Sequence, residues 1–336
     1  MLTLRRGTVT TAGDPAGPMQ EIEVLLGDVH RPALADVALV GPAREGDEVI
    51  VNTAAMDLDL DSGGFDLVHV NLTRGLDGEG VRGAHVMKLN YAPLQHAVAP
   101  VEEASPHERP PDGAAVAVLF LHGQLAPLAW AFGQAVPGAR LGFVQTAGGA
   151  LPGGLSDAVR VLRERGLLHG HLTAAPAYGG ADGEAITTAG ALQHGFAALD
   201  WKAAVVGPGP GILGSGTRYG HGGLIALESA HTAAALGCQV VVAPRRSSAD
   251  PRERHRGLSH HTRTVLEHAL IPLTVAGVPE PGLERHDWRD ATADLDGYRK
   301  TGLPARTMGR SLDEDPEFFE AALRAGTVLA GVMGAA

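Results

Sequence analysis

Cysteine is almost absent from this 336-residue chain. Cys238 stands alone, which excludes an intramolecular disulfide framework and any Cys-rich zinc site. It opens the apolar run 238–243, so it reads as a small buried side chain and not as a nucleophile. Lysine is nearly as scarce: Lys88, Lys202 and Lys300 are the only ones, and almost all positive charge is arginine. Aromatic residues make up 4%, so the core has to be built from Ala, Val and Leu. No apolar stretch approaches the roughly 20 residues that span a bilayer. The charged start, residues 1–10, is not followed by the apolar segment of a secretory signal. A cytoplasmic protein is expected.

What is present is acidic and globular. The formal charge of −11 disfavours nucleic acid and anionic membranes as partners of the whole surface. A local basic patch can still take up a small anionic ligand, and a homo-oligomer is compatible with the sequence. With 44% apolar against 19% charged residues, the chain can form a packed core.

The pattern changes once along the chain. Residues 1–103 carry short strand-like runs at 22–26, 48–52, 65–72 and 85–89, separated by glycine turns at Gly46, Gly63, Gly64 and Gly75. They predict a small all-β barrel- or sandwich-like domain. Residues 104–113 (ASPHERPPDG) are polar and hold three prolines, which makes them the expected linker. From 114 to 336, strand-length apolar runs at 114–121, 140–145, 171–175, 203–206, 239–243 and 272–276 alternate with helix-length segments at 125–135, 156–168, 184–199, 223–236 and 259–270, with another helix at 315–324. Ser156 and Ser259 are placed to cap helices. Such alternation predicts a doubly wound α/β domain with a mainly parallel sheet.

In an open α/β sheet, ligands bind outside the carboxyl ends of the strands. The segments expected there are 122–124 (HGQ), 146–154 (TAGGALPGG), 177–184 (AYGGADGE), 207–223 (GPGPGILGSGTRYGHGG) and 244–257 (PRRSSADPRERHRG). The segments expected after helices are plainer (VPGA, RGLLHG, ALDWK, ALG). Glycine allows a backbone to approach a ligand closely and aim N–H groups at it. Gly148, Gly149, Gly179, Gly180, Gly209, Gly211 and Gly214 are therefore candidate ligand-binding positions. Gly209, Gly211 and Gly214 also form a GxGxxG spacing, but residues 215–221 intervene before any helical pattern, where a dinucleotide fingerprint needs the helix at once. Arg245 and Arg246 at the end of the next strand would suit a 2′-phosphate, so an NADP-dependent reductase is carried as an alternative.

The segment 245–256 holds five arginines against Asp250 and Glu253. Arg245, Arg246, Arg252 and Arg254, with Asp250 among them, are the expected anion-binding side chains, because the guanidinium fork matches carboxylate and phosphate. His255, His260 and His122 are the candidate acid–base residues. No metal ligand set is predicted. Adjacent helical residues point about 100° apart, which separates His260 from His261, and neither HExxH nor a Cys/His spacing occurs. Asp182 and Glu184 form an acidic pair that equally suits a helix start. Ser156 and Ser215 lack the GxSxG elbow of a hydrolase. Asp57-x-Asp59-x-Asp61 departs from a calcium loop at Ser62 and Val68.

Several stretches together carry a family likeness: EGDEVIVNTAA (45–55), SGGFDLVHVNL (62–72), HVMKLNYAPLQ (85–95), GGALP (148–152), GPGPGILGSGT (207–217), ADPRERHRGLSHHT (249–262) and TMGRSLDEDPEFF (307–319). With these the chain resembles, over nearly its full length, a bacterial family known only as domain of unknown function 3866. The resemblance implies no activity and no catalytic residue. The chain departs from it at Gly123, where a serine is expected, and at Ala147, where an aspartate is expected.

The resulting expectation is an enzyme, a transferase or hydrolase, that acts on a phosphorylated or carboxylated small molecule at a glycine-rich, Arg/His-lined crevice, with its cofactor unknown. A non-catalytic ligand sensor or scaffold, with the β domain as its partner-binding module, is the other alternative.

Overall fold

A computed structural model describes residues 1–60, 63–104 and 109–333. Two compact units emerge, Met1–Ala99 and Pro100–Ala336. Part of the expected linker, residues 105–108, lies outside the described residues, as does Asp61 of the acidic triplet.

The first unit is a closed five-stranded barrel. Its strands are β1 (Leu4–Ala12), β2 (Met19–Leu26), β3 (Val29–Asp36), β4 (Glu48–Asn52) and β5 (Asp66–Asn71), in the order β1-β2-β3-β5-β4. Short helices α1 (Val37–Val40) and α2 (Ala54–Asp57) follow β3 and β4. Only β3 and β5 pair in parallel. Alternate residues such as Ile22 and Val24, or Val49 and Val51, point into the core, and closure leaves the barrel no open edge. Asp57 hydrogen-bonds Arg5, Arg31 and Thr53, so its carboxylate is already committed. A separate hairpin joins β6 (Val86–Lys88) to β7 (His96–Val98).

The second unit is built on eight parallel strands: β8 (Ala115–Val118), β9 (Leu141–Thr146), β10 (Gly170–Ala174), β11 (Glu184–Ala185), β12 (Ala203–Pro208), β13 (Gln239–Val242), β16 (Thr274–Ala276) and β17 (Asp287–Arg289). Two-residue strands β14 (Arg246–Ser247) and β15 (Gly257–Leu258) pair within the segment after β13. The sheet order is β11-β10-β9-β12-β8-β13-β16-β17. Every side chain of β8 is buried, as a central parallel strand requires. The period of two then splits its residues between two cores. Ala115 and Ala117 face α3 (Leu125–Ala135), α4 (Asp157–Glu164) and the C-terminal helix α9 (Pro316–Met333). Val116 and Val118 face α5 (Thr188–Ala197), α6 (Ile225–Ala235) and α7 (His260–His268); a short α8 (Leu295–Arg299) completes the helices. Among the described residues no helix is long and apolar enough to cross a membrane.

Glu102, just inside the second unit, accepts the Ile186 and Thr187 N–H groups ahead of α5. The sequence reading assigned 184–199 wholly to a helix; its first two residues are instead the edge strand β11, and α5 starts behind the Thr187 cap. Ser156 and Ser259 cap α4 and α7 as expected, and Cys238 is buried.

Candidate functional site

The winding of the sheet fixes where the site can be. From β9 the chain runs through α4 to β10, while from the neighbouring β12 it runs through α6, on the opposite face, to β13. Diverging connections open a crevice at the carboxyl ends of β9 and β12. A cleft of about 260 Å³ lies there, with Leu121, His122, Pro210, Ile212, Arg306 and Met308 in its wall. Gly149 and Gly209 interlock between the loops after β9 and β12, since a Cβ on either would come within 2.3 Å of a carbonyl oxygen of the other strand's loop.

His122 leaves the end of β8 and is held on both ring nitrogens. Nδ1 lies 3.1 Å from the Pro208 carbonyl, which can only accept, so Nδ1 carries the proton. Nε2 is then a bare acceptor, 2.6 Å from Ser156 Oγ. Burial lowers the His122 pKa to about 4, against the raising effect of the Pro208 carbonyl, and keeps the ring neutral. Ser156 Oγ also accepts the Val159 N–H as the cap of α4. Beyond Val159, helix geometry leaves the Asp157 and Ala158 N–H groups without an intrahelical acceptor. Gln124 braces the same corner: buried, it accepts from the Phe120 and Leu121 N–H groups and donates to the Ala243 and Pro244 carbonyls.

A second constellation gathers around the start of α7. His255 Nδ1 lies 2.7 Å from Ser259 Oγ. The His221 and His261 rings stack at 3.8 Å, and His260 meets both edge-on. His261 Nδ1 accepts from Arg245, which is 2% exposed. Burial is the main cause that pushes down all four histidines, His255 to about 3 and His260 to about 4, and the nearby arginines add to it. Burial also lowers Arg245 to about 10, opposed by Asp250.

Three arginines of the segment are paired with acids, two of them with Asp250 inside it and one with acids far away in sequence. Asp250 holds Arg252 at 2.9 Å, Arg245 at 3.3 Å and Arg310 at 3.4 Å. Arg246 pairs with Glu280 and Glu317, and Arg310 also with Asp315. Arg254 is exposed. Arg245, Arg246 and Arg252 of the segment thus already have acidic partners.

The candidate glycines sit in the loops after the strands, in contacting pairs. Gly148 abuts Gly222, and Gly149 abuts Gly209. Gly153 N donates to the Tyr178 carbonyl, beside Gly179, and Gly180 closes a turn on Gly183. Gly211 is exposed with positive φ, and Gly214 bridges to His221. Because α6 begins only at Ile225, the GxGxxG stretch does not run directly into a helix as the dinucleotide fingerprint requires.

Sequence reasoning named His122, His255 and His260 but not the partners that give them chemistry. Ser156 showed itself as a helix cap, and as a hydrolase serine it was set aside for want of the GxSxG elbow. His221, bracketed by Gly220, Gly222 and Gly223, gave the one local hint that a backbone closes tightly there.

No curated protein matches the chain. The family described as "Protein of unknown function (DUF3866)" matches residues 32–326, and the chain belongs to that family.

Proposed function

We propose that the second unit is a serine-dependent hydrolase or acyltransferase, with Ser156 as nucleophile and His122 as its general base. One observation carries the reading: Ser156 Oγ lies 2.6 Å from an acceptor nitrogen whose tautomer the Pro208 carbonyl fixes. A nucleophile, a base and an orienting third group constitute the activation that a hydroxyl needs. Ser156 Oγ attacks the substrate carbonyl carbon as its proton passes to His122 Nε2. The imidazolium is held by Pro208 and returns that proton to the leaving group. Water then repeats the sequence in reverse and frees the enzyme. The Asp157 and Ala158 N–H groups, at the positive end of α4, are placed to receive the developing oxyanion.

The cleft suggests the substrate class. Its wall is largely apolar, with Arg306 as its cationic member, which fits a small acyl compound bearing a carboxylate. Ser156 itself is 5% exposed, and its cleft-lining neighbours His122 and Ala158 mark the side of approach.

A fluorophosphonate probe tests the reading. It should label Ser156 in the wild type and fail with Ser156→Asn, which keeps a capping acceptor, and with His122→Gln. Equal labelling in all three proteins, or none in the wild type, would overturn it.

A further inference from the structure

We propose that His221, His260 and His261 form a site for one divalent transition metal of the zinc class. One ligand atom from each lies within 4.8 Å of the others. Both ring nitrogens of His221 and Nε2 of His260 are buried without a hydrogen-bond partner. The Arg218 carbonyl lies near enough to His221 to favour its protonated form, yet no hydrogen bond of normal geometry reaches that ring. A neutral imidazole always carries one N–H and one lone pair, and a buried polar group left unpaired is destabilising. Three such atoms on two neighbouring rings are an unusual expense for a structural cluster, and a metal ion removes it.

Gly223 shows where the ion sits. A Cβ built there would stand 3.1 Å from His221 Nδ1 and 3.2 Å from His261 Nδ1, so both nitrogens lie against the space that a side chain at this position would crowd. His260 completes a three-histidine set, the donor number that leaves a fourth position for water or an anion in catalytic zinc sites. Neutral nitrogen donors without a carboxylate favour zinc, copper or nickel over magnesium or calcium.

Two features must yield. Parallel rings cannot both aim in-plane lone pairs at one ion, so His221, which no hydrogen bond holds, has to turn out of its stack on His261. Arg245 has to release His261 Nδ1 and keep its bond to Asp250. Displaced by the ion, its guanidinium remains beside the fourth position as a partner for a metal-bound anion. The site is independent of the Ser156 reading and shares no residue with it.

The test loads the full chain, stripped with chelator, with Zn²⁺ or Co²⁺. Expected are one bound equivalent per chain by elemental analysis, the intense visible bands of tetrahedral Co²⁺, and a melting temperature raised by Zn²⁺ but not by Mg²⁺. Stoichiometric binding should be lost in His221→Ala and in Gly223→Ala, whose added methyl occupies the ion's place, and kept in His30→Ala, in the barrel. Circular dichroism establishes that each variant is folded. Wild-type binding no greater than that of a folded His221→Ala or Gly223→Ala protein, or cobalt bands typical of octahedral water, would overturn the proposal.

Discussion

His122 Nε2 and Ser156 Oγ meet at 2.6 Å although 34 positions separate them, and the contact ties the end of β8 to the first turn of α4. Ser156 thus has two duties, since the same oxygen accepts the Val159 N–H. The two can be separated by mutation. Ser156→Ala removes the cap and should cost about 1 kcal/mol, a fall of about 2–4 °C in melting temperature for a unit of this size. Ser156→Asn should recover most of that loss without recovering reaction with the probe. Calorimetry beside labelling reads both, and an alanine variant as stable as wild type would show that the cap carries no weight.

Acid should destabilise the second unit earlier than its carboxylates alone would. Burial holds His122 at about 4 and His171 at about 3 when folded, whereas unfolded histidine titrates near 6.5. Between those values the unfolded chain binds more protons, so stability falls as pH falls, by up to about 1.4 kcal/mol per pH unit for each ring. Above pH 6.5 neither ring contributes a slope. Denaturant midpoints between pH 7.5 and 5 should trace this limb. His171→Asn, which keeps an acceptor for the Ala181 N–H now served by Nδ1, should flatten the limb by about one proton. An unchanged slope would mean that His171 does not titrate there.

Trp201 fills a notch cut by three glycines. A Cβ would approach its ring within 2.0 Å from Gly142 in β9, 2.6 Å from Gly170 in β10 and 2.1 Å from Gly195 in α5. The ring is 2% exposed and cannot give way without leaving the core. Gly142→Ala and Gly195→Ala should each cost at least about 1–3 kcal/mol through overpacking and shift tryptophan emission to the red. Unaltered emission with full stability would show that the notch is looser than it looks.

The sequence reading succeeded where periodicity governs. The run 203–206 and the helix 125–135 emerge because a central parallel strand and a crossover helix each repeat one pattern. It failed where two or three residues suffice, as at β11 or β17, whose pairing depends on neighbours already in place. His122 was legible from its position at a strand end. Its partner was hidden because a capping serine and a nucleophilic serine are the same letter. Arg246 looked unneutralised because only nearby acids can be counted along a chain, whereas Glu280 and Glu317 arrive through the fold.

Asp250 is the residue on which that arginine network turns. It is 0% exposed, and one of its carboxylate oxygens faces Arg245, Arg252 and Arg310 together. Burial would raise its pKa, but the bonds from Arg252 hold it below the ordinary carboxylate range, so it stays ionised well into acid. The three arginines do not depend on it equally. Arg252 is 38% exposed and can turn to water, and Arg310 keeps Asp315 at 3.0 Å. Arg245, 2% exposed, has no other acid among the ion pairs of the described residues. Asp250→Asn should therefore cost about 3–5 kcal/mol, the cost of a buried charge left uncompensated, while Arg252→Ala should cost about 1 kcal/mol or less. Adding Arg245→Met to Asp250→Asn removes the stranded charge and should restore much of the loss. Equilibrium denaturation of the three proteins decides it. If the double variant is no more stable than Asp250→Asn, the cost lies in the other bonds to Asp250 and not in Arg245.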